Sequence, residues 1–194
     1  AALRTLRGQI DTLRAARAKV REEIERRFPD YVNLIDPRPA TVEQARKDLR
    51  PGEALIATYV GQSQTFVWAV PQSGPVAFTA VATTRAEMGR MVAELRKSLD
   101  PNASTLGDIP AFDVALANRL FAALLQPVQA GWKEAKSLLV VPHGALGQLP
   151  FSVLVTAPAQ VQPDRDGQAL FASYKNVPFL AKTAAITQLP SVAS

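Results

Sequence analysis

The chain has 194 residues, 47% hydrophobic and 20% charged, with a formal net charge of +5 and no cysteine. That length and balance suit one globular domain plus an appended element, and they exclude a disordered tail, a disulfide framework and any thiolate metal site. No apolar run approaches the roughly 18 residues needed to cross a bilayer, and the opening residues lack the apolar centre of a signal peptide. The chain starts at Ala1 rather than at a methionine, which leaves room for an upstream segment.

The charge is unevenly spread. Residues 1–28 hold eight Arg or Lys against Asp11, Glu22, Glu23 and Glu25, which accounts for +4 of the total. Within that segment Leu3, Leu6, Ile10, Leu13, Val20 and Ile24 recur at alternating steps of three and four, with Arg17 on the same stripe. The spacing predicts a basic helix with a narrow apolar seam. Pro29 ends it, and FPDYVNLIDPRP follows as an ordered connector in which Tyr31, Leu34 and Ile35 dock. Thr41 with Glu43 opens a short helix through Ala45 to Leu49.

From Gly52 the period becomes that of strands. Ala54–Val60, Thr65–Val70 and Val76–Ala82 are β-branched or aromatic runs separated by short turns at Gly61 and Gly74, which predicts an antiparallel meander. Thr84 and Glu87 have capping-box spacing, after which Met88, Met91, Val92, Leu95 and Leu99 line one face of a helix. A second helix spans about Phe112 to Gln126, burying Leu116, Leu120, Phe121, Leu124 and Leu125, with Trp132 packed on the return. Ser137–Val141 is a continuous apolar run suited to an interior strand covered on both faces, so the order of elements indicates an α/β crossover. The tail from Thr183 to Ser194 is uncharged, yet Ile186, Leu189 and Val192 are apolar. It reads as a strand at an unprotected sheet edge whose partner strands lie on other polypeptide.

His143 is the only histidine, at the end of the strand-like run. An imidazole acts as general base only beside a nucleophile, with a group orienting its other nitrogen. Ser152 is nearest in sequence, but no G-x-S-x-G elbow is present and Ser152 lies in an apolar run. His143 therefore reads as a turn residue and only secondarily as a catalytic candidate. Asp11, Glu22, Glu23 and Glu25 make no metal set, no phosphate-binding glycine loop occurs, and no cofactor is expected. Met88 and Met91 read as core filling, Pro158–Gln168 as a surface connection, and the first helix as a protein-packing element rather than a nucleic-acid arm.

Five segments in order, FPDYVNLIDPRPATVEQARKDLRPGEALIATYV, TFVWAV, ALANRLFAALLQPV, KSLLVVPHGALGQLPFSVLV and KNVPFLAKTAAITQLPS, resemble the CHAT domain. That family is a bacterial, caspase-like and separase-related peptidase module often found with tetratricopeptide repeats. The resemblance implies an α/β, caspase-like three-layer fold, here partial, with the amino-terminal antiparallel meander joined to a central mixed sheet flanked by helices. It also implies the division 1–28 leading helix, 29–51 connector and short helix, 52–194 amino-terminal part of the CHAT domain. In the family the catalytic His-Gly and Cys follow the LPS segment, so no catalytic residue is expected here and Pro142–Gly144 matches an earlier turn motif. The implied partners are the carboxyl-terminal half of the same domain, upstream repeats, and a protein or peptide substrate. The compartment stays open, with a bacterial cytoplasmic setting favoured over export, which would need a signal before Ala1. The alternative is a noncatalytic protein-interaction or signalling module.

Overall fold

The structure, a computed structural model, describes residues 2–27, 40–162 and 171–190. Tyr31, Leu34, Ile35, Val192 and the end of the Pro158–Gln168 connection lie outside the described residues. The chain forms two compact units that divide between Ala40 and Thr41.

The first unit is the helix α1, Ala2–Arg27. Arg26 and Arg27 occupy its last turn, where the partial negative charge of the helix end favours cations. Its seam residues Leu6, Ile10, Leu13 and Val20 are exposed.

The second unit opens with α2, Val42–Asp48. The hydroxyl of Thr41 accepts from the Gln44 N–H at 3.2 Å, while the Gln44 side-chain oxygen accepts from the Thr41 N–H at 2.9 Å. The reciprocal cap is thus made by Gln44, one residue beyond the Glu43 expected from the sequence, because only the third helical position reaches back to the cap N–H. Three strands follow: β1 Glu53–Val60, β2 Thr65–Pro71 and β3 Ala77–Val81. They pair antiparallel in the expected meander, with Tyr59 opposite Phe66 and Trp68 opposite Phe78.

Two helices carry the chain back across the sheet, α3 at Arg85–Leu99 and α4 at Val114–Leu124. The capping box of α3 is as expected: Glu87 Oε2 accepts from the Thr84 N–H and from its hydroxyl, each at 2.8 Å. Asp113 caps α4 by accepting from the Leu116 N–H at 2.8 Å, a cap that the sequence reading did not assign. Met88, Val92, Leu95, Leu120, Phe121 and Leu124 are buried on the sheet-facing sides. On the return from α4 the Trp132 indole N–H donates to the Leu125 carbonyl at 2.9 Å, and the ring meets Phe121 edge-on.

The Glu87 carboxyl is held below the ordinary glutamate value of 4.5, first by the Thr84 N–H, then by its hydroxyl, which together outweigh desolvation, with Arg90 adding attraction. A depressed folded pKa contributes stability that is present above the unfolded value and lost as pH falls through the folded one. A Glu87→Gln variant keeps the reciprocal cap without the charge. The difference in thermal midpoint between parent and variant should therefore be present at neutral pH and fade below pH 4.5. A pH-independent difference would mean that the carboxylate charge contributes nothing.

The chain re-enters the sheet as β4, Ser137–Val141, and later as β5, Ala185–Gln188. The order is β3-β2-β1-β4-β5, with β1, β4 and β5 mutually parallel. The fold class is therefore α/β, a mixed five-stranded sheet flanked by helices. Coverage of its two faces is unequal. Leu138 and Val140 are fully buried beneath α3 and α4, whereas Leu139 and Val141 are half-buried in a small cluster with Leu49, Leu55 and Val70. The sequence suggested cover on both faces of β4. Among the described residues the second face carries only α2, a short helix too small to seal it. Tyr59, Phe66, Trp68 and Phe78 form an aromatic row on that face, and Tyr59 and Phe78 are about half exposed.

Candidate functional site

In an α/β sheet the loops at the carboxyl ends of parallel strands are where side chains converge. Here β1 and β4 run parallel and end at Val60 and Val141, and Pro142 and His143 follow directly. Pro142 cannot donate to a strand ladder, so the strand stops there. Gly144, with φ of +60°, then turns the chain into a tight 3₁₀ turn, Gly144–Gln148. A left-handed residue at this point favours glycine because it has no Cβ. Leu146 and Leu149 are buried and anchor the turn from below.

His143 is exposed, yet it is bound on three sides. Its backbone N–H donates to Thr58 Oγ1 at 3.0 Å, and its Nδ1 accepts from the Val60 N–H at 3.1 Å. The ring stacks on Tyr59 with centroids 4.6 Å apart. A backbone N–H can only donate, so Nδ1 must offer its lone pair and the neutral ring carries its proton on Nε2. The imidazole closes the end of the β1–β4 pair by satisfying a strand N–H that has run out of ladder partners.

Ser152 is half-buried in the next 3₁₀ turn, Phe151–Val153, and forms no hydrogen bond with His143. The structure thus brings His143 together with Thr58, Tyr59 and Val60, all on β1, and not with Ser152. No local pattern signals this, because the partners lie 83 and 85 residues away. Arg85 adds a cation at this strand end, its Nη2 donating to the Val60 carbonyl at 3.3 Å. Among the described residues no group of His, Asp and Glu could hold a metal ion, and no helix is long and apolar enough to cross a membrane. An apolar cavity of about 210 Å³ lies elsewhere, between Ile109, Phe112, Phe171, Tyr174 and Phe179. Its polar groups are the hydroxyls of Ser98 and Tyr174, and the Tyr174 oxygen accepts from the Phe112 N–H at 2.8 Å.

The turn after β4 continues through Phe151–Val153 to β5. The Phe151 N–H donates to Gln188 Oε1 at 3.2 Å, and the Leu180 N–H to the Leu154 carbonyl at 2.7 Å. A family model, the CHAT domain, matches residues 114–194, from the first residue of α4 through β4, the His143 turn and β5. Over this segment the chain is similar to the CHAT domain. The CHAT family is caspase-like and peptidase-related. The three later segments quoted above fall within the match, whereas α2 and the meander precede it. Comparison with curated proteins and with solved structures gives no match.

On the far side of β5 the ladder is open. The Ala185 N–H donates to the Lys136 carbonyl at 2.9 Å and the Leu189 N–H to the Val140 carbonyl at 2.8 Å. Strand groups alternate in direction, so the N–H groups of Ile186 and Gln188 point away from β4. Among the described residues no strand takes them up. Ala185, Thr187 and Gln188 are exposed, and this edge has neither charge, proline nor bulge to protect it.

Proposed function

We propose that residues 52–194 are the amino-terminal portion of a CHAT-type, caspase-like cysteine peptidase, a scaffold that is inactive by itself. Residues 1–28 are its leading helix and 29–51 the connector and short helix. The observation that carries this reading is the open edge of β5, a parallel strand within the CHAT match that has, among the described residues, a neighbour on one side only. In this proposal the carboxyl-terminal half of the same domain pairs with that edge and brings a Cys nucleophile with its activating His. The chemistry supports the division, since the chain has no cysteine and its sole histidine is engaged as an acceptor of the Val60 N–H. The meander supports inclusion in the same domain because β1 shares a continuous parallel ladder with β4.

The test compares this chain with a polypeptide extended through the later half. The chain alone should not cleave peptide substrates, and the extended form should. Cleavage by the extended form should vanish on replacing its cysteine and persist in His143→Ala. Ile186→Pro removes an outward N–H from β5, and should abolish the extended form's activity while leaving this chain folded by circular dichroism. Robust cleavage by the chain alone, lost in His143→Ala, would overturn the proposal. A second reading, a noncatalytic protein-interaction module, is favoured by the exposed seam of α1. It predicts no cleavage from either form.

A further inference from the structure

The apolar seam of α1 follows heptad spacing, with Ile10, Arg17 and Ile24 at one core position and Leu6, Leu13 and Val20 at the other. Leu6 to Ile24 spans about 27 Å of helix. Leu6, Ile10, Leu13 and Val20 are 55%, 45%, 69% and 57% exposed. An a/d seam this regular is the signature of a helix that packs in a coiled coil. The residues that flank the seam decide with what. Arg7, Arg14 and Arg21 occupy the same heptad flank, directly after Leu6, Leu13 and Val20.

That row of arginines opposes pairing with a second copy in either direction. In a parallel pair the flank faces Gln9 and Ala16 of the other helix, which offer no acid, and Arg17 meets Arg17 across the seam. In an antiparallel pair Arg14 meets Arg14, and Arg7 meets Arg21. Like charges at these positions select against a pairing. The Arg14–Asp11 ion pair, at 3.9 Å with both side chains more than 70% exposed, leaves the flank basic.

A membrane surface or a nucleic acid fits less well. Helices that lie on membranes present a broad apolar face with aromatic residues at its border, whereas this stripe is narrow, is interrupted by Arg17 and has no aromatic in α1. A phosphate backbone rewards uniform basicity, and Glu22 and Glu23 interrupt it here.

We propose that the α1 seam docks a helix of another protein whose own apolar seam is flanked by glutamate or aspartate, with an acid placed opposite Arg17. The test uses the full chain and two synthetic heptad peptides with identical Leu and Ile cores, one carrying Glu at its flanking positions and one carrying Lys. The acidic peptide should bind at least about tenfold more tightly than its basic twin, a preference that weakens as salt is raised. Arg7→Glu with Arg14→Glu should reverse the preference, and Leu13→Asp should abolish binding of both peptides. These positions are exposed, so each variant should keep the helix content of the parent by circular dichroism. Equal binding of the two peptides, binding that survives Leu13→Asp, or self-association through α1 in sedimentation would overturn the proposal. So would tighter binding to phosphatidylserine vesicles or duplex DNA than to the acidic peptide.

Discussion

Phe151→Ala should cost about 3–5 kcal/mol, a large part of the roughly 5–15 kcal/mol that holds a domain folded. Phe151 is completely buried, in the core shared with Leu146, Leu149, Leu154 and Leu180. Its turn packs on both the Leu180–Lys182 turn and β5, and its N–H holds Gln188 at 3.2 Å. Removing the ring leaves a cavity in a segment of consecutive 3₁₀ turns, whose few internal hydrogen bonds cannot keep it in place without side-chain anchors. In urea the unfolding midpoint should fall by at least about 1 M. Phe151→Leu, which refills most of the volume, should recover more than half of that loss. A midpoint unchanged in Phe151→Ala would mean that the link from the His143 turn to β5 is held by something other than this core.

The same segment shows why some of the fold was legible in the sequence and some was not. The meander was legible because the alternation of β-branched and aromatic residues and the short turns at Gly61 and Gly74 are local signals, and antiparallel pairing is the only outcome short turns permit. The α3 cap was legible for the same reason, since Thr84 and Glu87 lie within one turn. The Asp113 cap was missed because Phe112, just before it, extends the apolar pattern and draws the apparent helix start outward. The open edge of β5 was visible in its lack of charge.

The geometry around His143 was not legible, because its bonding depends on which strands become neighbours. Val60 and His143 meet only once β1 and β4 pair in parallel with Ala57 opposite Val141. The uneven cover of the sheet was hidden likewise. Leu139 and Val141 are as apolar as Leu138 and Val140, and only the shortness of α2 leaves them half-buried. Apolar character marked β4 as interior to the sheet and could not report how much material lies above it.

Gly131→Ala should destabilise the second unit by about 3 kcal/mol, the upper range for forcing extra volume into a packed interior. A Cβ on Gly131 would lie 2.7 Å from the Ala69 carbonyl oxygen and 2.8 Å from the Ala69 Cβ, and the oxygen belongs to the backbone of a central strand that cannot swing aside. The 3₁₀ turn Gln129–Gly131 therefore rests directly on β2, and this close approach lets Trp132 seal the end of α4 before the chain enters β4. The double variant Ala69→Gly, Gly131→Ala separates the two clashes. Removing the Ala69 Cβ relieves one contact and leaves the oxygen in place, so the pair should recover only part of the loss, with a coupling energy of roughly 0.5–1 kcal/mol in urea unfolding. Full recovery would assign the whole penalty to the side chain. A Gly131→Ala variant within about 0.5 kcal/mol of the parent would show that the crossover has slack, and that the position of β4, and with it the His143 turn, is not set from this side of the sheet.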